Sequence, residues 1–218
     1  MKRLMIALCA SSMLFFACNN NGEKKDTLKT DSSTTEKPVA KDATPPAMPD
    51  TAAINKAWME YATPGAMHKW MEKTNGTWEG EVSQWMAADA PPTKANATNV
   101  QSSVLGGRYV TAKFTSTMMG QPFEGMSTMG YNNAKKMFVS TWVDNMGTGI
   151  VHMSGNYDEA TKTLMLKGLQ TDFMTGKDMD ISEEMKMIDD NTYIMTMRGI
   201  GPDGKDMKFM EGTFKKKK

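Results

Sequence analysis

The segment FVSTWVDNMGTGIVHMSGNYD, Phe138 to Asp158, decides how this chain is read. Apolar and polar residues alternate on both sides of the cluster Asp144-Asn145-Met146-Gly147, the pattern of two antiparallel strands joined by a turn. Phe138, Ser140 and Trp142 share one strand face, and Val139, Thr141 and Val143 the other. The turn is read as two residues, Asn145-Met146, or as four, Asp144 to Gly147. Either way Trp142 opposes Gly149, Ser140 opposes Val151 and Phe138 opposes Met153. Opposed residues lie on one face, so Phe138, Trp142, Val151 and Met153 make an apolar patch. Gly149 then leaves room for the indole, and His152 points to the other face, opposite Val139. A three-residue loop with a bulge would turn His152 onto the tryptophan face instead. The apolar match favours the first register. The segment is a hairpin before it is a working site of Trp, Asp and His.

The same texture runs to the C-terminus. Strands are predicted near residues 77–86, 95–104, 108–118, 122–132, 136–144, 148–157, 163–171, 178–188, 192–200 and 206–215. Separators such as APPTK, LGG, MGQP, NNAKK and GPDGK are short enough to join antiparallel neighbours directly. Left open, such a meander exposes two long edges, and closure removes them. The expected fold is therefore mainly β, an antiparallel up-and-down barrel of about ten strands. Two short helices precede it. The first is capped by Asp50 or Thr51 and runs through Ala53, Ile54, Ala57, Trp58 and Tyr61, spaced as one apolar stripe. Thr63-Pro64-Gly65 ends it, and a second, Ala66 to Lys73, sets Met67, Trp70 and Met71 on one side.

The N-terminus has a different character. Met1-Lys2-Arg3 and the apolar run Leu4 to Ala17 read as a signal peptide over residues 1–17, too short for a membrane-spanning helix. The run ends in Leu14-Phe15-Phe16-Ala17-Cys18, which resembles the lipobox of bacterial lipoproteins. That resemblance implies cleavage before Cys18 and acylation of its thiol, and Asn19 after the cysteine favours the outer membrane in Gram-negative lipoproteins. Two or more acyl chains make a durable anchor. Cys9 leaves with the leader, so no disulfide is available and stability must come from packing. Residues 18–49 carry the lipidated cysteine and a Ser/Thr/Pro/Lys tether with almost no large apolar side chain. Residues 50–218 form the domain.

In the domain, GTWEGEV (76–82), LGGRYV (105–110), MGQPFEG (119–125), GYNNAKKMFVSTWVDNMGTGI (130–150), YDEATKTL (157–164) and GPDGKD (201–206) stand in one order. Together they resemble the bacterial family catalogued as domain of unknown function 1579, from roughly His68 onward. Where that family carries Gly-Tyr-Asp-Asn, this chain has Gly130-Tyr131-Asn132-Asn133. The resemblance implies a barrel similar to the lipocalin and fatty-acid-binding superfamily. It transfers no activity and no functional residue.

Composition narrows the chemistry. Loss of residues 1–17 would leave 24 basic against 25 acidic side chains, a poor balance for nucleic acid. His68 and His152 are the only histidines, and no His-x-x-x-His or Cys-x-x-Cys spacing occurs, so neither a metal site nor a cofactor is expected. The 24 methionines suit Cu(I) as thioethers. Their alternation, as in Met185/Met187, Met195/Met197 and Met207 with Phe209, suits core filling better. No G-x-S-x-G elbow links a serine to Asp144 or His152, and Glu79, Glu81 and Glu124 read as surface strand positions, so no enzyme is expected. A barrel of about ten strands is wide enough to enclose a cavity. Arg108, Tyr131, Trp142 and Tyr193 are the candidate lining of that cavity, aromatic walls with one cation for a carboxylate head. The expected role is a membrane-tethered envelope protein binding a small apolar or amphiphilic ligand. The competing reading is a solid barrel serving as a structural or protein-interaction module.

Overall fold

A computed structural model describes residues 50–201 and 203–218. The signal peptide, Cys18 and the tether lie outside the described residues. Two helices, α1 (Thr51–Ala62) and α2 (Ala66–Lys73), lead into ten strands. These are β1 (Gly76–Gln84), β2 (Thr93–Val104), β3 (Tyr109–Met118), β4 (Gln121–Asn132), β5 (Met137–Asp144), β6 (Val151–Asp158), β7 (Thr163–Thr171), β8 (Asp178–Asp189), β9 (Thr192–Ile200) and β10 (Asp206–Lys216). Each strand pairs antiparallel with the next, and β10 returns to β1, so the sheet closes into the up-and-down barrel that the strand pattern predicts.

Alternation builds the core. One face of every strand points inward, and the buried set includes Trp78, Val82, Val110, Phe114, Phe138, Leu164, Leu166, Ile181, Tyr193 and Phe214. Buried Met71, Met129, Met153, Met185 and Met195 fill the gaps between these rings and branched side chains. In β10 strict alternation fails. A register shift between Lys208 and Met210 puts both Met207 and Met210 inside, whereas Met207 with Phe209 was expected to share a face.

The opening hairpin keeps its faces and changes its register. Trp142 opposes Val151, Ser140 opposes Met153 and Phe138 opposes Gly155, a slip of two residues from the expected pairing. A slip of two preserves sidedness, so Phe138, Trp142, Val151 and Met153 still face inward, while His152 is exposed and opposes Thr141. The cause lies at residues 144 and 145. Asp144 Oδ1 accepts from the Met146 and Gly147 amides, and Asn145 is tied to β4 through Glu124 and Pro122. Those bonds hold a six-residue loop where a tight turn was expected. Gly149 has open space around it. The glycine that makes room for Trp142 is Gly125 on β4, where a Cβ would sit 2.1 Å from the indole Cζ2.

The two helices differ in what they bury. Asp50 caps α1, its Oδ1 accepting from the Ala53 amide at 2.7 Å. The predicted stripe on α1 stays largely exposed: Ile54, Trp58 and Tyr61 are 50, 63 and 48 % exposed. Among the described residues the barrel holds the end of this helix, through Asn133 Nδ2, which donates toward the carbonyls of Glu60, Tyr61 and Thr63. By contrast α2 buries His68, Trp70 and Met71 and closes one end of the barrel. Trp70 meets Phe138 and Tyr157 there, at ring separations of 5.3 and 4.4 Å.

Candidate functional site: the barrel interior

The two ends of the interior are built differently. At the α2 end, aromatic rings fill the space. Trp78 packs edge-on to Tyr193 at 4.8 Å, and Tyr193 stacks on Phe214 at 4.9 Å. Phe114 carries the chain of rings from Phe214 on to Phe123 and Trp142. No described helix covers the opposite end. There Met118, Trp142, Val151 and Met197 belong to the core by contact yet stay only half-buried. Inward-facing side chains that keep exposed surface must expose it toward the mouth of the barrel.

The four candidate lining residues do not converge. Trp142 stands at the open end, its Nε1 donating to Asp144 Oδ2 at 2.8 Å and its ring stacked on Phe123. Tyr193 is buried at the filled end, and its hydroxyl accepts from Asn99 Nδ2 at 3.1 Å. Tyr131 packs against Phe138 and His68 beneath α2. Arg108 is exposed in the β2–β3 turn and donates to the Leu105 carbonyl at 3.2 Å. The expected cation for a carboxylate head is therefore not inside.

Both histidines have ordinary explanations. His68 accepts from the Gly65 amide through Nδ1 at 3.0 Å, which places its proton on Nε2, and Tyr131 supplies the backbone partner. Burial, and then the Arg108 charge, hold its pKa below the usual value of 6.5. It is a neutral structural side chain. His152 lies on the outer face. Glu79, Glu81 and Glu124 are also outside, paired with Lys217, Lys94 and Lys113.

A carboxylate outside that set faces the interior. Glu183 follows Ile181 and precedes Met185 on the inward face of β8, opposite Leu166 on β7 and Met197 on β9. No ion pair among the described residues involves it. Burial alone pushes its carboxyl from 4.5 up to about 7. Its charge adds to the burial that raises the Tyr193 phenol, which stands on the neighbouring strand β9 and also faces inward. Asn99 and Gln101 on β2 border the same hydroxyl. Asn99 Oδ1 is buried without a partner, and reversing the amide would only move the orphan to its nitrogen. The result is a small polar cluster, Glu183, Tyr193, Asn99 and Gln101, within walls of Met and aromatic side chains. Sequence reading missed Glu183, although its parity with Met185 and Met187 marks it as inward.

Two surface grooves lie elsewhere. One, of about 370 Å³, runs over the outer wall past Val100, Lys113, Met126 and Val143. The other, about 420 Å³, lies between α2 and the β6–β9 wall at Trp70, Tyr157 and Met187. Neither includes a residue of the polar cluster.

Residues 63–216 match the family model described as a protein of unknown function, DUF1579. The chain belongs to this family. No curated protein matches it. Among solved structures, the DUF1579 barrel is similar to Rv2717c from M. tuberculosis, with a TM-score of 0.56 at 10% identity, covering 72% of this chain and 100% of that one. It is also similar to the S-type phycobiliprotein lyase CPES from Guillardia theta, with a TM-score of 0.51 at 10% identity, covering 78% and 99%. At this identity the likeness of the DUF1579 domain to both is one of fold.

Proposed function

We propose that this protein binds a small, largely apolar molecule inside its barrel, entering by the end that no helix covers. The observation that carries the reading is the half-buried state of Met118, Trp142, Val151 and Met197, all of which point inward. A fully packed core would seal them. The neighbour from Guillardia theta supports the reading only to the extent that a barrel of this fold serves a protein named a phycobiliprotein lyase. Native mass spectrometry of the full-length protein, purified gently from its host, tests it. An adduct lost on denaturation establishes the binding and gives the ligand's mass.

A second reading has its own observation. The ring chain from Trp78 through Tyr193, Phe214 and Phe114 to Trp142 crosses the interior, as a solid structural or interaction module requires. A clean apo mass, with no displacement of added apolar probes, favours that module.

The lipobox adds an address. In this proposal Cys18 is acylated and residues 18–49 tether the barrel to a membrane of the cell envelope. Cys18→Ser abolishes palmitate labelling if the assignment is right; labelling that persists removes it.

A further inference from the structure

We infer that the inward carboxylate of β8 receives a positively charged, hydrogen-bond-donating head group, such as an amine, on an otherwise apolar ligand. This rests on the reading of the barrel as a binding protein. Glu183 sits mid-strand between Ile181 and Met185, with Leu166 and Met197 as its cross-strand neighbours. A carboxylate in such surroundings is costly unless paired. Among the described residues no ion pair engages it, since those present use other carboxylates. Nearby, Asn99 Oδ1 is buried without a partner, while its Nδ2 donates to the Tyr193 hydroxyl. Unpaired polar groups of this kind reject ligands that cannot complete them and favour those that can.

The sign of the charge is the substance of the inference. Arg108, the residue that would have held a carboxylate head, is exposed in the β2–β3 turn and bonded to its own loop. The interior charge is negative. A fatty acid would place its carboxylate toward Glu183, whereas an amine would neutralise it. Because the carboxyl is partly protonated near neutrality, an amine that binds it also displaces that proton into solvent.

Isothermal titration of the full chain with octylamine, octanol and octanoate separates the possibilities. Octylamine should bind at least about tenfold more tightly than octanoate, with octanol between them. Glu183→Gln should erase the amine preference, so that octylamine no longer binds more tightly than octanoate, with the melting curve confirming that the variant folds. Glu183→Leu serves as a second variant and should act the same way. Octanoate binding as tightly as octylamine, or an amine preference that survives in both variants, overturns the assignment. Octanol binding without an amine preference sinks the charge assignment alone. Failure of all three probes to bind removes the ligand-binding reading and this inference together.

Discussion

At the scale of single residues, two glycines in the opening segment's neighbourhood have exchanged roles. Gly125, not Gly149, accommodates Trp142. Gly125→Val should therefore destabilise the domain by about 1–3 kcal/mol through overpacking, and Gly149→Val should fall within about 0.5 kcal/mol of wild type. Denaturant melts of the two variants check this, and equal losses would restore the tighter turn. Glu183 gives a prediction with a sign. Its folded carboxyl titrates near 7 against 4.5 unfolded, so the native state binds more protons between those values. Its penalty is absent below pH 4.5, grows as pH rises through 7 and is complete above that. Glu183→Gln should stabilise the protein at pH 8 by about 2 kcal/mol and have little effect at pH 4.5. His68 runs the other way. Its lowered pKa means that the unfolded chain binds the proton first, so its contribution fades as pH falls through about 6.5.

At the scale of elements, strand parity was legible except at the β10 irregularity, and strand register was not. Period-two alternation reports which face a residue occupies, and it placed Phe138, Trp142, Val151 and Met153 correctly. Register depends on the turn, and this turn is set by bonds from Asp144 and Asn145 that no local pattern announces. The family's Asp position shows the reverse case. Asn132 accepts from the Ala134 and Lys135 amides, so its side chain does in the turn what an aspartate would do. The candidate site was only partly legible, because the three aromatics and the arginine were judged by type, whereas Glu183 is identified by parity. Helix α1 carries the same lesson. Its stripe is real in sequence, but spacing alone does not supply a surface to cover it. Trp58→Ser should consequently leave the melting temperature unchanged, while Trp70→Ala, on the helix that seals the barrel, should cost about 3–5 kcal/mol. A comparable loss from Trp58→Ser would mean that α1 packs on something.

At the scale of the whole molecule, the barrel joint between β1 and β10 differs from the other nine. Neighbouring strands elsewhere follow one another along the chain, whereas Trp78 meets Lys216 across almost the full length of the domain. The entropy of closing so long a loop has to be met before any seam contact is rewarded. The seam should therefore form last, after the hairpins have zipped, and it should be poorly developed at the folding barrier. Val82, fully buried on β1 and close to Gly212 of β10, probes this. Val82→Ala should leave the refolding rate nearly unchanged and accelerate unfolding by roughly tenfold or more, whereas Phe138→Leu, in a local hairpin, should slow refolding. Stopped-flow chevrons that show equal slowing of refolding would place the seam in the nucleus instead. A barrel that closes late spends its folding time as an open sheet with two adhesive edges, and the time each chain spends in that state sets how fast it can be made without aggregating.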